Sequence, residues 1–217
     1  MDKSPGGGVL LDIGANIGTT SVYIKKCIQP DLQVYAFEPV AENCKMLRAS
    51  LALNDISDND YHVVQMALSD ENGSAEIMVN SNSIGDNRII RGDNRDAGAL
   101  TEVVETIRLD DYLKKNNIDL QSISYIWMDV QAHEGFVLAG ATDLLANTSI
   151  PLYMEIWPEG LKKNGSLDIL MKIIENNYKR FICIHEGESN APIDVHFIKN
   201  YCAKYEKEWF DVFMIKD

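Results

Sequence analysis

Residues 10–24, LLDIGANIGTTSVYI, decide the fold. An apolar run over 9–13 reads as a buried strand and stops abruptly at Gly14-Ala15-Asn16-Ile17-Gly18. A helical pattern follows over 17–28, with Pro30 just beyond its end. Glycines at 14 and 18 let the chain turn tightly and come close to a ligand, and Asn16 tolerates a left-handed backbone. The strand-to-helix junction also offers N–H groups not used by the helix. The reading is a strand–turn–helix unit built to approach a small molecule.

Working outward, the same alternation repeats. QVYAFEP over 33–39 is a second strand, in which Pro39 holds Glu38 extended and opens the next helix. That helix puts Cys44, Leu47 and Leu51 on one face. YHVVQMAL over 61–68 is a third strand, ISYIWMDV over 123–130 a fourth and PLYMEIWP over 151–158 a fifth. The helix after the fourth strand buries Val137, Ala141, Leu144 and Leu145, and a later one buries Leu167, Leu170, Met171, Ile174 and Tyr178. RFICIHE and WFDVFMIKD close the sheet as an antiparallel edge hairpin. Residues 1–8 read as a flexible leader and 9–217 as a single domain, with a β-rich excursion around 74–108. Alternating strands and helices predict an α/β fold, a mostly parallel seven-stranded sheet covered on both faces.

Composition narrows the function. Of 217 residues, 46% are apolar, enough to bury a sizeable core. Thirty-three acidic against 20 basic residues give a net charge of -13, which disfavours nucleic acid and anionic membranes as partners. Cys27, Cys44, Cys183 and Cys202 form no CxxC pair, so they read as reduced, mostly buried thiols of a cytoplasmic protein. No apolar run approaches the roughly 20 residues a membrane span needs.

Ligands of such sheets bind beyond the carboxyl ends of the strands. The expected site is therefore Asp12 to Gly18, Glu38, Ala67 to Ser69, Asp129 to Glu134, and Glu155. Asp12 would repel a pyrophosphate but suits a cationic or hydroxylated ligand. Glu38 stands 24 residues after Gly14, where a carboxylate can accept from ribose hydroxyls. The spacing G-x-N-x-G departs from the dinucleotide pattern G-x-G-x-x-G, which favours S-adenosylmethionine over NAD.

The stretches LDIGANIGTTSVYI, VYAFEPVAENCKMLRASLALN, ALSDENGSAEI, RLDDYL, WMDVQAHEGFVLAGATDLL and LYMEIWP, in this order, resemble the FkbM-type methyltransferases. The resemblance spans roughly residues 9–157. It implies a class I, Rossmann-like methyltransferase fold, S-adenosylmethionine as cofactor with S-adenosylhomocysteine as product, and O-methylation of a hydroxyl on a sugar or polyketide-type small molecule. One departure is DVQAHE, with Ala132 where the family commonly has glycine. The cofactor-binding expectation is Asp12, Gly14, Ala15, Asn16, Gly18, Glu38, Pro39, Ala67 and Leu68.

Methylating an alcohol requires alignment and a place for its proton. Asp129, His133, Glu134 and Glu155 are the catalytic candidates. His133 is either the base or a solvated surface residue. Glu134 either binds substrate or complements a helix start. These four could also hold a magnesium-like ion, a reading not favoured because the spacing does not demand one. Trp127 reads as core, and Trp157 as core or as a wall of the acceptor pocket. Arg88, Arg91 and Arg95 read as a solvated loop, or as a lid recruiting an anionic acceptor. N- or carboxyl-methylation and an inactive binding module are the alternatives.

Overall fold

The computed structural model describes residues 7–80, 85–91, 99–185 and 188–216. Arg95 and most of the leader lie outside the described residues. The first unit forms as the sequence reads. Strand β1 (Val9–Ile13) is buried along its whole length. Helix α1 (Thr19–Tyr23) starts after Gly18, two residues later than the pattern suggested, and continues as a π turn over Ile24–Ile28. Strand β2 (Gln33–Phe37) follows. Helix α2 (Ala41–Leu53) begins after Val40 rather than at Pro39, and buries Cys44, Leu47 and Leu51.

The run 61–68 is two strands rather than one. β3 (Tyr61–Val64) joins the main sheet, while β4 (Ala67–Leu68) turns away into a second one. There it pairs in parallel with β7 (Leu100–Ile107), which pairs antiparallel with β5 (Gly73–Val79), itself flanked by β6 (Arg88–Ile89). The excursion is thus a four-stranded sheet in the order β4-β7-β5-β6. Val40, Ala67, Ile77, Ile89 and Val104 form its small core.

After helix α3 (Leu109–Lys115), strand β8 (Ile123–Met128) returns to the centre of the main sheet. The single helix expected next is two, α4 (Glu134–Ala139) and α5 (Thr142–Asn147), broken at Gly140 and Ala141. Strand β9 (Leu152–Ile156) leads through the short α6 (Pro158–Lys163) into α7 (Leu167–Asn177). The last strands are β10 (Arg180–Ile184), β11 (Ile193–Asp194) and β12 (Phe210–Ile215), with α8 (Ile198–Lys204) before β12.

The main sheet has eight strands, not seven, in the order β11-β10-β12-β9-β8-β1-β2-β3. Its β3–β2–β1–β8–β9 part is parallel. β12 inserts antiparallel between β9 and β10, so the edge is more than a local hairpin. A large core on one face joins β1, β8, β9, β10 and β12 to α4, α5, α7 and α8. A smaller core on the other face joins β1–β3 to α1 and α2. None of the helices of the described residues is long and apolar enough to cross a membrane.

Candidate active site

The turn after β1 is fixed by two glycines. Gly14 has φ 83°, and a Cβ there would lie 1.8 Å from the Asp129 carbonyl oxygen. Gly18 has φ 81°, and its Cβ would meet Leu47 Cδ1 at 2.1 Å. Close contact with the protein's own backbone and α2 therefore demands these glycines. Three of the loop N–H groups are also spent internally. Gly14 N and Ala15 N donate to the Phe37 carbonyl at 2.9 and 3.0 Å, and Gly18 N to the Ala15 carbonyl at 2.8 Å. The expectation that the junction leaves these donors for a ligand is corrected: β2 and the turn itself take them.

Glu38 organises the site. Its Oε2 accepts from Asn16 N at 2.9 Å, and its Oε1 accepts from Val40 N at 2.9 Å and Asn43 Nδ2 at 3.3 Å. A carboxylate has about four acceptor positions, so capacity remains on Oε2. Burial raises the Glu38 pKa and these hydrogen bonds oppose the rise.

Gly14 and Asn16 of the turn, Glu38 and Pro39 after β2, Ala67 and Leu68 of β4, and Asp129 and His133 after β8 line one cavity. About 650 Å³ of atom-free space, part of it open solvent, lies within this lining. The second sheet lines the cavity through Ile77 of β5 and Ile89 of β6, together with Gly85 in the turn before β6. Gln131, inside the expected stretch Asp129 to Glu134, also lines it, as do Asn43 and Met66, which were not singled out from the sequence. The signal of those two was positional only, near Glu38 and beside Ala67.

Three expected contacts face elsewhere. Asp12 is 2% exposed, and its Oδ2 accepts from Ser21 Oγ, which lies 2.5 Å from Tyr61 Oη. Burial pushes the Asp12 carboxyl up to about 7 despite the Ser21 bond. It ties β1 to α1 and β3 and is not part of the cavity wall. Ala15 and Gly18 likewise shape the turn without lining the cavity.

The reading of His133 as solvated is also corrected. It is 1% exposed, its Nε2 is 3.0 Å from Ser69 Oγ, and its ring lies 4.9 Å from that of Phe136. Burial, with the Arg91 guanidinium nearby, holds its pKa down to about 3, which makes it a poor proton acceptor near neutrality. Glu134 is 2% exposed, with Oε1 accepting from Val130 N at 3.3 Å. Burial lifts it to about 8. It braces the turn into α4 and does not line the cavity. Within that turn Gln131 and Ala132 both have left-handed backbones, φ 50° and 72°. The Ala132 carbonyl is clamped by Asn164 Nδ2 at 3.0 Å and Ser166 Oγ at 2.9 Å.

Glu155 lies in a second, wider groove with Asp86, Arg88, Trp157, Lys207 and Trp209. Gln131 lines both spaces, and its Nε2 donates to Asp129 Oδ1 at 2.8 Å. Burial, then the charges of Asp129 and Asp211, raise Glu155 to about 7. Trp127 is half-buried and stacks on Tyr153 at 3.7 Å. Arg91 is no free loop cation: it bonds Asp70 at 2.5 Å and lies 4.5 Å over the Phe136 ring. Among the described residues, no three His, Cys, Asp or Glu side chains are arranged to hold a metal ion.

A family model described as Methyltransferase FkbM domain matches residues 12–180. The chain belongs to this family. It is 30% identical over 158 residues to 2-O-methyltransferase NoeI of Sinorhizobium fredii (strain NBRC 101917 / NGR234), covering 64% of this chain and 60% of NoeI. It is 28% identical over 183 residues to Methyltransferase sdnD of Sordaria araneosa, covering 73% and 70%. The chain thus spans less than two thirds of NoeI. The crystal structure of Methyltransferase FkbM from Methylobacillus flagellatus KT superimposes with TM-score 0.59 at 15% identity, covering 98% of this chain and 45% of that one. Precorrin-6y C5,15-methyltransferase from Geobacter metallireducens GS-15 gives 0.50 at 11% identity, covering 99% and 83%. At these identities the likeness is one of fold.

The FkbM family implies S-adenosylmethionine, and the cavity fits it. Two buried atoms without partners, Asn16 Oδ1 and His133 Nδ1, belong to cavity-lining residues. Asn16 Oδ1 is an acceptor, as is His133 Nδ1 in the tautomer protonated at Nε2, and the cofactor's ammonium, ribose hydroxyls and adenine amino group are donors.

Proposed function

We propose that this FkbM-family chain is an S-adenosylmethionine-dependent O-methyltransferase acting on a hydroxyl of a sugar or polyketide-type small molecule. The observation that carries this reading is the convergence of Asn16, Glu38, Ala67, Leu68 and Asp129 on one cavity at the carboxyl ends of β1, β2 and β8. A second, open groove adjoins it through Gln131. The name of NoeI, a 2-O-methyltransferase, supports a hydroxyl acceptor.

When bound, the cofactor supplies a methyl group activated on a sulfonium. Glu38 binds the ribose with the capacity left on Oε2, while Asp129 attracts the ammonium. The apolar Ala67, Leu68, Ile77 and Ile89 receive the adenine. The acceptor occupies the groove of about 920 Å³ between Trp157 and Trp209. Glu155, whose pKa of about 7 leaves a large carboxylate fraction near neutrality, takes up the hydroxyl proton and returns it to solvent through the open groove.

Calorimetric titration with S-adenosylmethionine, S-adenosylhomocysteine and NAD tests the cofactor. Saturable binding of both sulfur ligands and none of NAD is expected. A folded sample that binds neither sulfur ligand overturns the reading. Transfer of a tritiated methyl group to a panel of glycosides and polyketide alcohols, with product analysis, then tests the acceptor.

A further inference from the structure

We infer that the groove around Glu155 takes a pyranose ring, and that Trp209 is the residue that selects a sugar over an apolar polyketide alcohol there. This rests on the methyltransferase reading above and deepens it by naming the acceptor class.

The two tryptophans of the groove differ. Trp157 is fixed by the helix that follows it. A Cβ on Gly160 of α6 would lie 2.2 Å from Trp157 Cε3 and 2.6 Å from each of that atom's ring neighbours, Cδ2 and Cζ3. One short and two equal longer distances put Gly160 over the ring face rather than at its edge. That face is therefore closed by the backbone of α6. Trp209, just before β12, is 61% exposed. Among the described residues no other ring and no cation stacks on its indole. An aromatic face left in water on the wall of a groove is apolar area that a ligand can still bury.

The rest of the lining is largely polar. Asp86 and Glu155 accept hydrogen bonds, Lys207 donates them, and the Gln131 amide does both. An apolar ligand would strip water from these groups and return nothing, which costs free energy at each. A pyranose replaces that water, because every hydroxyl on its rim both donates and accepts. One flat side of the ring presents mainly C–H bonds, whose slightly positive hydrogens meet the negative face of an indole. The groove thus matches a ligand that is apolar on a face and polar around its edge. The neighbouring cavity is built differently, with Phe37, Leu68, Ile77 and Ile89 as an apolar wall.

The test titrates protein saturated with S-adenosylhomocysteine with the methyl glycosides of glucose, galactose, mannose, fucose and rhamnose, and with cyclohexanol, a ring of the same size carrying a single hydroxyl. The chain has three tryptophans and so three indole N–H resonances, of which Trp209→Phe identifies one. At least one glycoside should shift that resonance and bind about tenfold more tightly than cyclohexanol, equivalent to ~1.4 kcal/mol. Trp209→Ala should weaken the same glycoside about tenfold and leave S-adenosylhomocysteine affinity within about twofold. Trp209→Phe, which keeps a smaller ring, should fall between the two. The side chain is mostly exposed, so both variants keep the packed core. No glycoside moving the Trp209 resonance, cyclohexanol matching the glycosides, or Trp209→Ala keeping full glycoside affinity overturns the inference alone. Wild type that fails to bind S-adenosylhomocysteine overturns the cofactor reading beneath it.

Discussion

Strands β9 and β12 show two faces in very different surroundings. Leu152, Met154 and Ile156 on one face of β9, with Phe210, Val212 and Met214 on β12, are completely buried against the helices. The alternate residues Tyr153 and Glu155, with Asp211 and Phe213 directly opposite, are only half-buried. On β1 and β2 the second face is covered by α1 and α2 instead, so Leu10, Val34 and Ala36 are buried too. The lesson is a division of labour one residue apart. The covered face supplies cohesion, and the open face carries Glu155 into the solvent-accessible groove.

The comparison can be broken by truncation. Met154→Ala should destabilise by about 2–5 kcal/mol in chemical denaturation, because it leaves a cavity in a packed interior. Tyr153→Ala, one residue away on the half-buried face, should cost clearly less. Equal losses would mean that the open face is as tightly packed as the covered one.

Binding sharpens the contrast between cavity and groove. Glu38→Ala removes the partner of Asn16 N, Val40 N and Asn43 Nδ2 and should weaken S-adenosylhomocysteine about 10- to 100-fold, on the order of 1.4–2.8 kcal/mol. Glu155→Gln should leave that affinity within about twofold. Calorimetry on both variants measures this directly, and a large loss in Glu155→Gln would merge the two sites into one.

Protonation gives a third contrast. Glu134 and Asp12 have pKa values raised by burial to about 8 and about 7, well above their unfolded values. At these two carboxyls the folded chain binds more protons than the unfolded chain between about pH 4 and 8, while the buried neutral His133 acts in the opposite sense below its ordinary pKa. The stability these groups contribute is fully present below their unfolded pKa values and is lost as pH rises through the folded ones. Above about pH 6.5, where His133 no longer opposes them, the melting temperature should fall towards pH 8, and Glu134→Gln should flatten the fall; an unchanged slope would contradict the assigned burial.

The smallest effect concerns Ala132. Its φ of 72° is strained for a residue with a Cβ, so Ala132→Gly should stabilise by roughly 0.5–1 kcal/mol, net of glycine's extra unfolded-state entropy. Thermal denaturation that shows a loss instead would mean that packing of this buried methyl outweighs the backbone strain.

Local pattern alone determined the alternating α/β order, the glycine turn, the extended Glu38 and the buried faces of α2 and α7, because these depend on periodicities of 2 and 3.6 and on single-residue backbone preferences. The cavity residues Gly14, Asn16, Glu38, Ala67, Leu68 and Asp129 were legible for the same reason, since strand ends of a parallel sheet share one edge. Tertiary structure decided what local pattern does not encode. β12 inserts between β9 and β10 through pairing over long separations, and β4 leaves the main sheet to pair with β7. Side chains that a strand end or a turn presents in two directions were also settled by their neighbours. Asp12 is claimed by Ser21, and His133 is buried by Phe136 on the helix it caps and by Ser69 and Arg91, which come from two other parts of the chain. Sequence spacing fixes which residues reach the site, but the partner and solvent exposure of each polar atom are properties of the assembled fold.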